Sequence, residues 1–196
     1  RQRQMCIRDS CQTVSFLVDI PSNMITLSHV YDNALVNKDS PGENVGKVAS
    51  WVGKNFPHFS MMSELEQEWT NQDLQGSWNV LFFYPKDRSP GCSVQAQTFV
   101  DEEEQFSSYG AKVFGVSNDS IKSHTQFKCD IGGNLTLLCD SKSSLRKELG
   151  LGKTLGIIPH RVTFVLDPEG VIRWVFNSQL AVKKHVYGSL KYLSTL

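Results

Sequence analysis

Hydrophobic and polar residues alternate without a fixed period until about residue 50, and then fall into repeating patterns. RQRQMCIRDS (1–10) shows neither a strand nor a helix period and does not begin with methionine; it reads as a fragment or a non-native leader. IPSNMITLSHVYDN (20–33) has room for a short strand or helix, and DSPGENVG (39–46) reads as a loop. WNVLFFY (78–84) is then an almost unbroken apolar run, as in a strand buried on both faces. Residues 92–108 carry Phe99 and Phe106 at helical spacing, with acidic DEEE on another side. AKVFGV (111–116) predicts a second strand. SNDS then supplies an N-cap for a helix over IKSHTQFKCD (121–130). LTLLCD (135–140) predicts a third strand, and SKSSLRKELG (141–150) a helix stopped by glycine. RVTFVLD, PEG and VIRWVF predict a hairpin. AVKKHVYGSLKYL (181–193) predicts an amphipathic helix weakened in the middle by Gly188.

The order β-α-β-α-β-α-β-β-α implies an α/β fold whose central sheet is mixed but mostly parallel and flanked by helices. The closing β-hairpin and helix make it the thioredoxin-like variant. Residues 49–196 are expected to form this domain, with 1–48 a poorly defined extension or leader.

The chain has 196 residues, enough for one domain with a real core. Its 20 basic and 20 acidic side chains cancel, so it lacks the basic excess of a nucleic-acid binder. No apolar run is long enough to span a membrane. Five cysteines, Cys6, Cys11, Cys92, Cys129 and Cys139, are odd in number and widely spaced, with no CxxC and no zinc-ligand spacing. Free thiols in a reducing compartment are the expectation.

Chemistry concentrates in PKDRSPGC (85–92), where the long apolar strand empties into a helix. Ligands gather beyond the carboxyl ends of strands in open α/β sheets. A helix's first turn also offers unpaired N–H groups and the positive end of its dipole, which favour a thiolate. Pro85 and Pro90 stiffen the loop, Gly91 permits close approach beside the sulfur, and the Ser89 hydroxyl can donate to the sulfur or to a bound oxygen.

These residues resemble the peroxiredoxin pattern Pro-x-x-x-Thr/Ser-x-x-Cys. FFYPKD…PGC, GVSNDSIKSHTQF and RVTFVLDPEG are similar to the bacterioferritin-comigratory, or peroxiredoxin Q, branch, over about residues 50–196. VGKNFPHF is similar to its opening strand. The resemblance implies a peroxidase needing no metal, haem or flavin. Cys92 would attack the peroxide and become a sulfenic acid. Arg161 would hold the thiolate, Ser89 would bond the attacking sulfur and the oxygens, and Pro85 would shield the product from water. A thioredoxin-fold redox sensor without turnover is the alternative. A disulfide reductase is disfavoured, because Ser89 stands where a CxxC would begin.

The branch often carries a resolving cysteine five residues after the reactive one, and here that position is Gln97. Cys139, at a strand end, and Cys129 are the possible resolving thiols. Otherwise thioredoxin, glutaredoxin or glutathione would reduce the sulfenic acid. The resemblance also implies a monomer, cytoplasmic or plastid, while the balanced charge and short apolar runs argue against nucleic-acid and membrane partners.

Overall fold

The structure, a computed structural model, describes residues 50–196. The expected boundary at 48/49, the segment before it, and Cys6 and Cys11 lie outside the described residues. In chain order the strands are β1 (Ser60–Ser63), β2 (Glu68–Thr70), β3 (Trp78–Phe83), β4 (Ala111–Ser117), β5 (Thr136–Cys139), β6 (Lys153–Thr154), β7 (Ile158–Pro159), β8 (Val162–Leu166) and β9 (Ile172–Asn177). The helices are α1 (Pro90–Asp101), α2 (Glu103–Ser108), α3 (Ile121–Ile131), α4 (Ser144–Glu148) and α5 (Val182–Leu193).

Seven strands form one sheet in the order β2-β1-β5-β4-β3-β8-β9, while β6 and β7 pair separately. The thioredoxin-like expectation holds, and one detail of it changes. Only β3–β4 and β4–β5 run parallel; the other four pairings of the main sheet are antiparallel. The parallel strands are therefore the centre of a mixed sheet and not its majority. Two reasons account for the difference. β1 and β2 are too short to declare a period, and β8 enters beside β3 from the opposite direction.

β3 explains its own sequence. Val80 and Phe82 look into a core shared with Phe99 of α1, Phe127 of α3 and Val186 of α5. Leu81 and Phe83 look into a second core with Leu145 of α4 and Phe164 of β8. Both faces are covered, so no position between Val80 and Phe83 is polar. The expected helix over 92–108 is instead two, broken at Glu102, whose backbone (φ −101°, ψ 12°) leaves the helical region. The expected opening strand, VGKNFPHF, is reduced to an isolated bridge between Asn55 and Val171, with regular pairing starting at Ser60.

α5 runs unbroken through Gly188. A Cβ built there would lie 2.9 Å from Cζ2 of Trp174, so the residue that looked like a weakness lets the helix lie close against β9. Among the described residues no helix is long and apolar enough to cross a membrane.

Candidate active site

The site forms where β3 ends. Tyr84 and Pro85 lead out of the strand, Ser89 is the N-cap of α1 in extended conformation, and Pro90 opens the helix. Cys92 thus falls in the first turn, where backbone N–H groups have no helical acceptor. Its side chain is 1 % exposed. Arg161 stands immediately before β8, and the antiparallel register pairs Phe83 with Val162. That register brings the N-terminal end of β8 beside the C-terminal end of β3. Arg161 and Cys92, 69 residues apart, consequently meet: Nη2 donates to Sγ at 3.4 Å. Gly91 is needed here in the plain steric sense, since a Cβ on it would lie 3.3 Å from that same Nη2.

Arg161 is buried, and its Nη1 donates to Oε1 of Gln95, one turn after Cys92. The phrase FNSQL (176–180), which ends β9, fixes the arginine backbone. Gln179 Oε1 accepts from Arg161 N at 3.0 Å, Gln179 Nε2 donates to Pro159 O at 3.0 Å, and Ser178 N donates to Arg161 O at 3.2 Å. His185 supports this turn from α5. Its Nε2 donates to the Ser178 carbonyl, so Nδ1 accepts from Thr163. Burial pushes the His185 imidazole down to about 3, and it stays neutral.

Arg146 is a second buried cation that sequence reasoning missed. From α4 it donates to His160 O at 2.8 Å and to Tyr84 O at 3.1 Å, and its guanidinium lies 5.5 Å from the Phe83 ring centroid. Burial lowers it to about 10, against the pull of Asp140 and Cys92. It ties the strand that delivers Cys92 to the residue preceding Arg161. His160 itself is buried.

The loop is also tied to α3. Asp87 accepts from Tyr84 Oη at 2.7 Å and from Ser123 Oγ at 2.7 Å, and faces His124 Nδ1 at 2.9 Å. Burial alone would raise the Asp87 carboxyl, but the bonds from His124, Ser123 and Tyr84 outweigh it and hold it below the usual carboxylate range. Arg88 adopts φ 58°, a strained left-handed turn for a non-glycine residue, and pairs with Asp130 at 2.6 Å.

The other expected site residues are less tightly placed. Ser89 is half-exposed and donates its hydroxyl to Lys86 O at 3.0 Å, not to Cys92. Pro85 is half-buried at the strand exit. Cys139 is a free thiol at the end of β5, two strands from β3, and donates to Asp119 O at 2.8 Å. Burial raises it. Cys129 is exposed on the last turn of α3 and is not among the free thiols. Among the described residues no cluster of His, Cys, Asp and Glu could hold a metal ion.

A free, buried cysteine on the first turn of a thioredoxin-like helix, facing a buried arginine, fits a class of thiol-based redox proteins. Comparison with known proteins narrows it. The AhpC/TSA family profile matches residues 52–175. Peroxiredoxin Q, chloroplastic, from Oryza sativa subsp. japonica is 38% identical over 152 residues, which cover 77% of this chain and 69% of that protein. The protein of the same name from Suaeda salsa is 38% identical over 153 residues, covering 78% and 71%. Among solved structures, a PrxQ cysteine mutant from Xylella fastidiosa superposes with TM-score 0.68 at 32% identity, covering 74% of this chain and 95% of that one. Peroxidoxin BcpB from Mycobacterium tuberculosis superposes with TM-score 0.69 at 25% identity, covering 74% and 97%.

The chain belongs to the AhpC/TSA family, and within it to the peroxiredoxins of the Q branch. It is a thiol-dependent peroxidase, with a peroxide as substrate and a thiol as reductant; a sensor without turnover is not favoured.

Proposed function

We propose that Cys92 is the peroxidatic thiol and that Arg161, Ser89 and Pro85 complete its site. The observation that carries this reading is the 3.4 Å contact between Arg161 Nη2 and Cys92 Sγ inside a buried first helical turn. The Cys92 thiolate attacks the nearer peroxide oxygen and the O–O bond breaks. The far oxygen leaves with the bonding pair as hydroxide or alkoxide, then takes a proton to become water or an alcohol. Sulfur is oxidised by two electrons to the sulfenic acid. Charge moves from sulfur to the departing oxygen, and the Arg161 guanidinium with the free N–H groups of the first turn stabilises it on the way. Ser89 joins when its hydroxyl leaves the Lys86 carbonyl for the incoming oxygen, and Pro85 limits water at the product.

An outside thiol resolves the sulfenic acid, attacking its sulfur and releasing water. The engagement of Cys139 with Asp119 and the glutamine at position 97 support this over an internal partner. Thioredoxin, glutaredoxin and glutathione all supply the needed chemistry. Action as a monomer belongs to the same reading. The relatives named chloroplastic support a plastid, among reducing compartments.

Two measurements test the reading. Cys92→Ser is expected to abolish peroxide turnover, and retained turnover would overturn the assignment. Intact mass after one equivalent of hydrogen peroxide on the reduced protein is expected to show one added oxygen, mapped to Cys92. Loss of two hydrogens, with Cys139 or Cys129 in the new disulfide, would overturn the outside-thiol step alone.

A further inference from the structure

We propose that Arg146 is a positioning residue of the site, which reaches across the end of the sheet to align the segments carrying Cys92 and Arg161 and adds its own positive field at the sulfur. The inference rests on Cys92 being the peroxidatic thiol. Arg146 is buried and lies over the ring of Phe83, which faces the second core, whereas Cys92 belongs to the first. Its guanidinium forks. Nη2 donates to the carbonyl of Tyr84, the residue before Pro85 and the loop that delivers Cys92. Nη1 donates to the carbonyl of His160, the residue before Arg161. One planar group therefore fixes the spacing between the exit of β3 and the entry to β8. It also covers two carbonyl oxygens, whose negative ends oppose an anion nearby.

A strut alone would not need a charge, and a buried charge is costly unless an anion answers it. Among the described residues neither Arg146 nor Arg161 has a carboxylate within ion-pair distance. The carboxylates at this end of the sheet are engaged elsewhere. Asp140 accepts from the backbone N–H groups of Leu145 and Arg146 at the start of α4. Asp87 faces His124, and Asp119 accepts from Asp87 N and Ser117 Oγ. Of the remaining ionisable groups, His185 is neutral, His160 gives Arg146 only its carbonyl, and the Cys139 thiol donates to Asp119 O. Burial pulls Arg146 down to about 10, which leaves it a cation at neutral pH, and Asp140 and Cys92 are the anions that favour its charge. The attraction is mutual, so Arg146 favours a thiolate as the thiolate favours Arg146. Arg161 acts on the sulfur by contact, and Arg146 acts through a buried interior that screens it little.

The test compares wild type with Arg146→Met and Arg146→Lys. The rate of Cys92 alkylation by iodoacetamide is followed across pH by peptide mass, and the second-order rate with hydrogen peroxide is measured alongside. Arg146→Met is expected to raise the alkylation midpoint by about half a unit or more, and so to slow the peroxide reaction about threefold or more below that midpoint. Arg146→Lys keeps the charge and loses the fork. Its midpoint is expected to stay within about 0.3 unit of wild type while its peroxide rate falls at every pH. A merely structural role would lower the rate without moving either midpoint, so an unmoved midpoint in a natively folded Arg146→Met protein would overturn the proposal. Should that variant not fold, a midpoint raised by about a full unit in Arg146→Lys, where the charge survives, would overturn it instead. The alkylation profile reads Cys92 directly, so it reports on Arg146 even if Cys92→Ser retains turnover and the peroxidatic assignment fails.

Discussion

Arg161 reaches its sulfur because the turn after β9 grips its backbone on both sides. Gln179 takes its N–H and Ser178 gives an N–H to its carbonyl. Gln179→Ala would leave the N–H of a buried residue without its acceptor, at a cost of about 1–3 kcal/mol. The guanidinium would then start from a looser anchor. The expected result is a fall in kcat/KM for peroxide of roughly tenfold, about 1.4 kcal/mol of transition-state stabilisation, with the free thiol count unchanged; stopped-flow kinetics checks it. Cys92 and Arg161 were legible in the sequence because each sits in a compact local pattern. Gln95, Arg146 and Gln179 were not, because nothing near them in sequence says what they face. Their roles follow from the β3–β8 register and from a helix, α4, too short to orient by periodicity.

At the scale of elements, the long apolar run of β3 and the β8–β9 hairpin announced themselves, since burial on two faces or alternation around a turn leaves a strong pattern. β1 and β2, four and three residues long, carry too few positions for any period to show. The break between α1 and α2 has no glycine or proline to mark it. Gly188 illustrates the opposite error. Propensity argues that alanine there would strengthen α5 by about 1 kcal/mol. Contact argues against it, because any Cβ meets the Trp174 ring. Gly188→Val is expected to push α5 off β9 and cost about 1–3 kcal/mol, the usual penalty of overpacking. A lowered urea midpoint with an unchanged slope checks it.

Across the whole molecule, acid should loosen the fold through His185. Its folded pKa of about 3 lies far below the ordinary histidine value of about 6.5. The unfolded chain therefore binds the extra proton between those limits. The stability His185 confers is complete above about pH 6.5 and declines as pH falls toward 3, by about 1.4 kcal/mol per unit. Thermal unfolding between pH 7 and 5 is expected to show this slope, and His185→Asn, which has no proton to gain, to flatten it. Nothing in the local sequence pattern singles out His185, because its burial depends on how α5 docks beside Thr163 and Ser178. The pairing of β3 with β8 has a further consequence, in time. A ribosome releases this chain from its N-terminal side at about 5–20 residues per second. The thiol of Cys92 thus emerges several seconds before the arginine 69 residues later that faces it. During that interval the cysteine is an ordinary thiol, without its cation and without its cavity. If Cys92 is the peroxidatic thiol, its contact with Arg161 is complete only once β8 has docked, so a nascent copy is expected to react with peroxide more slowly than the finished enzyme.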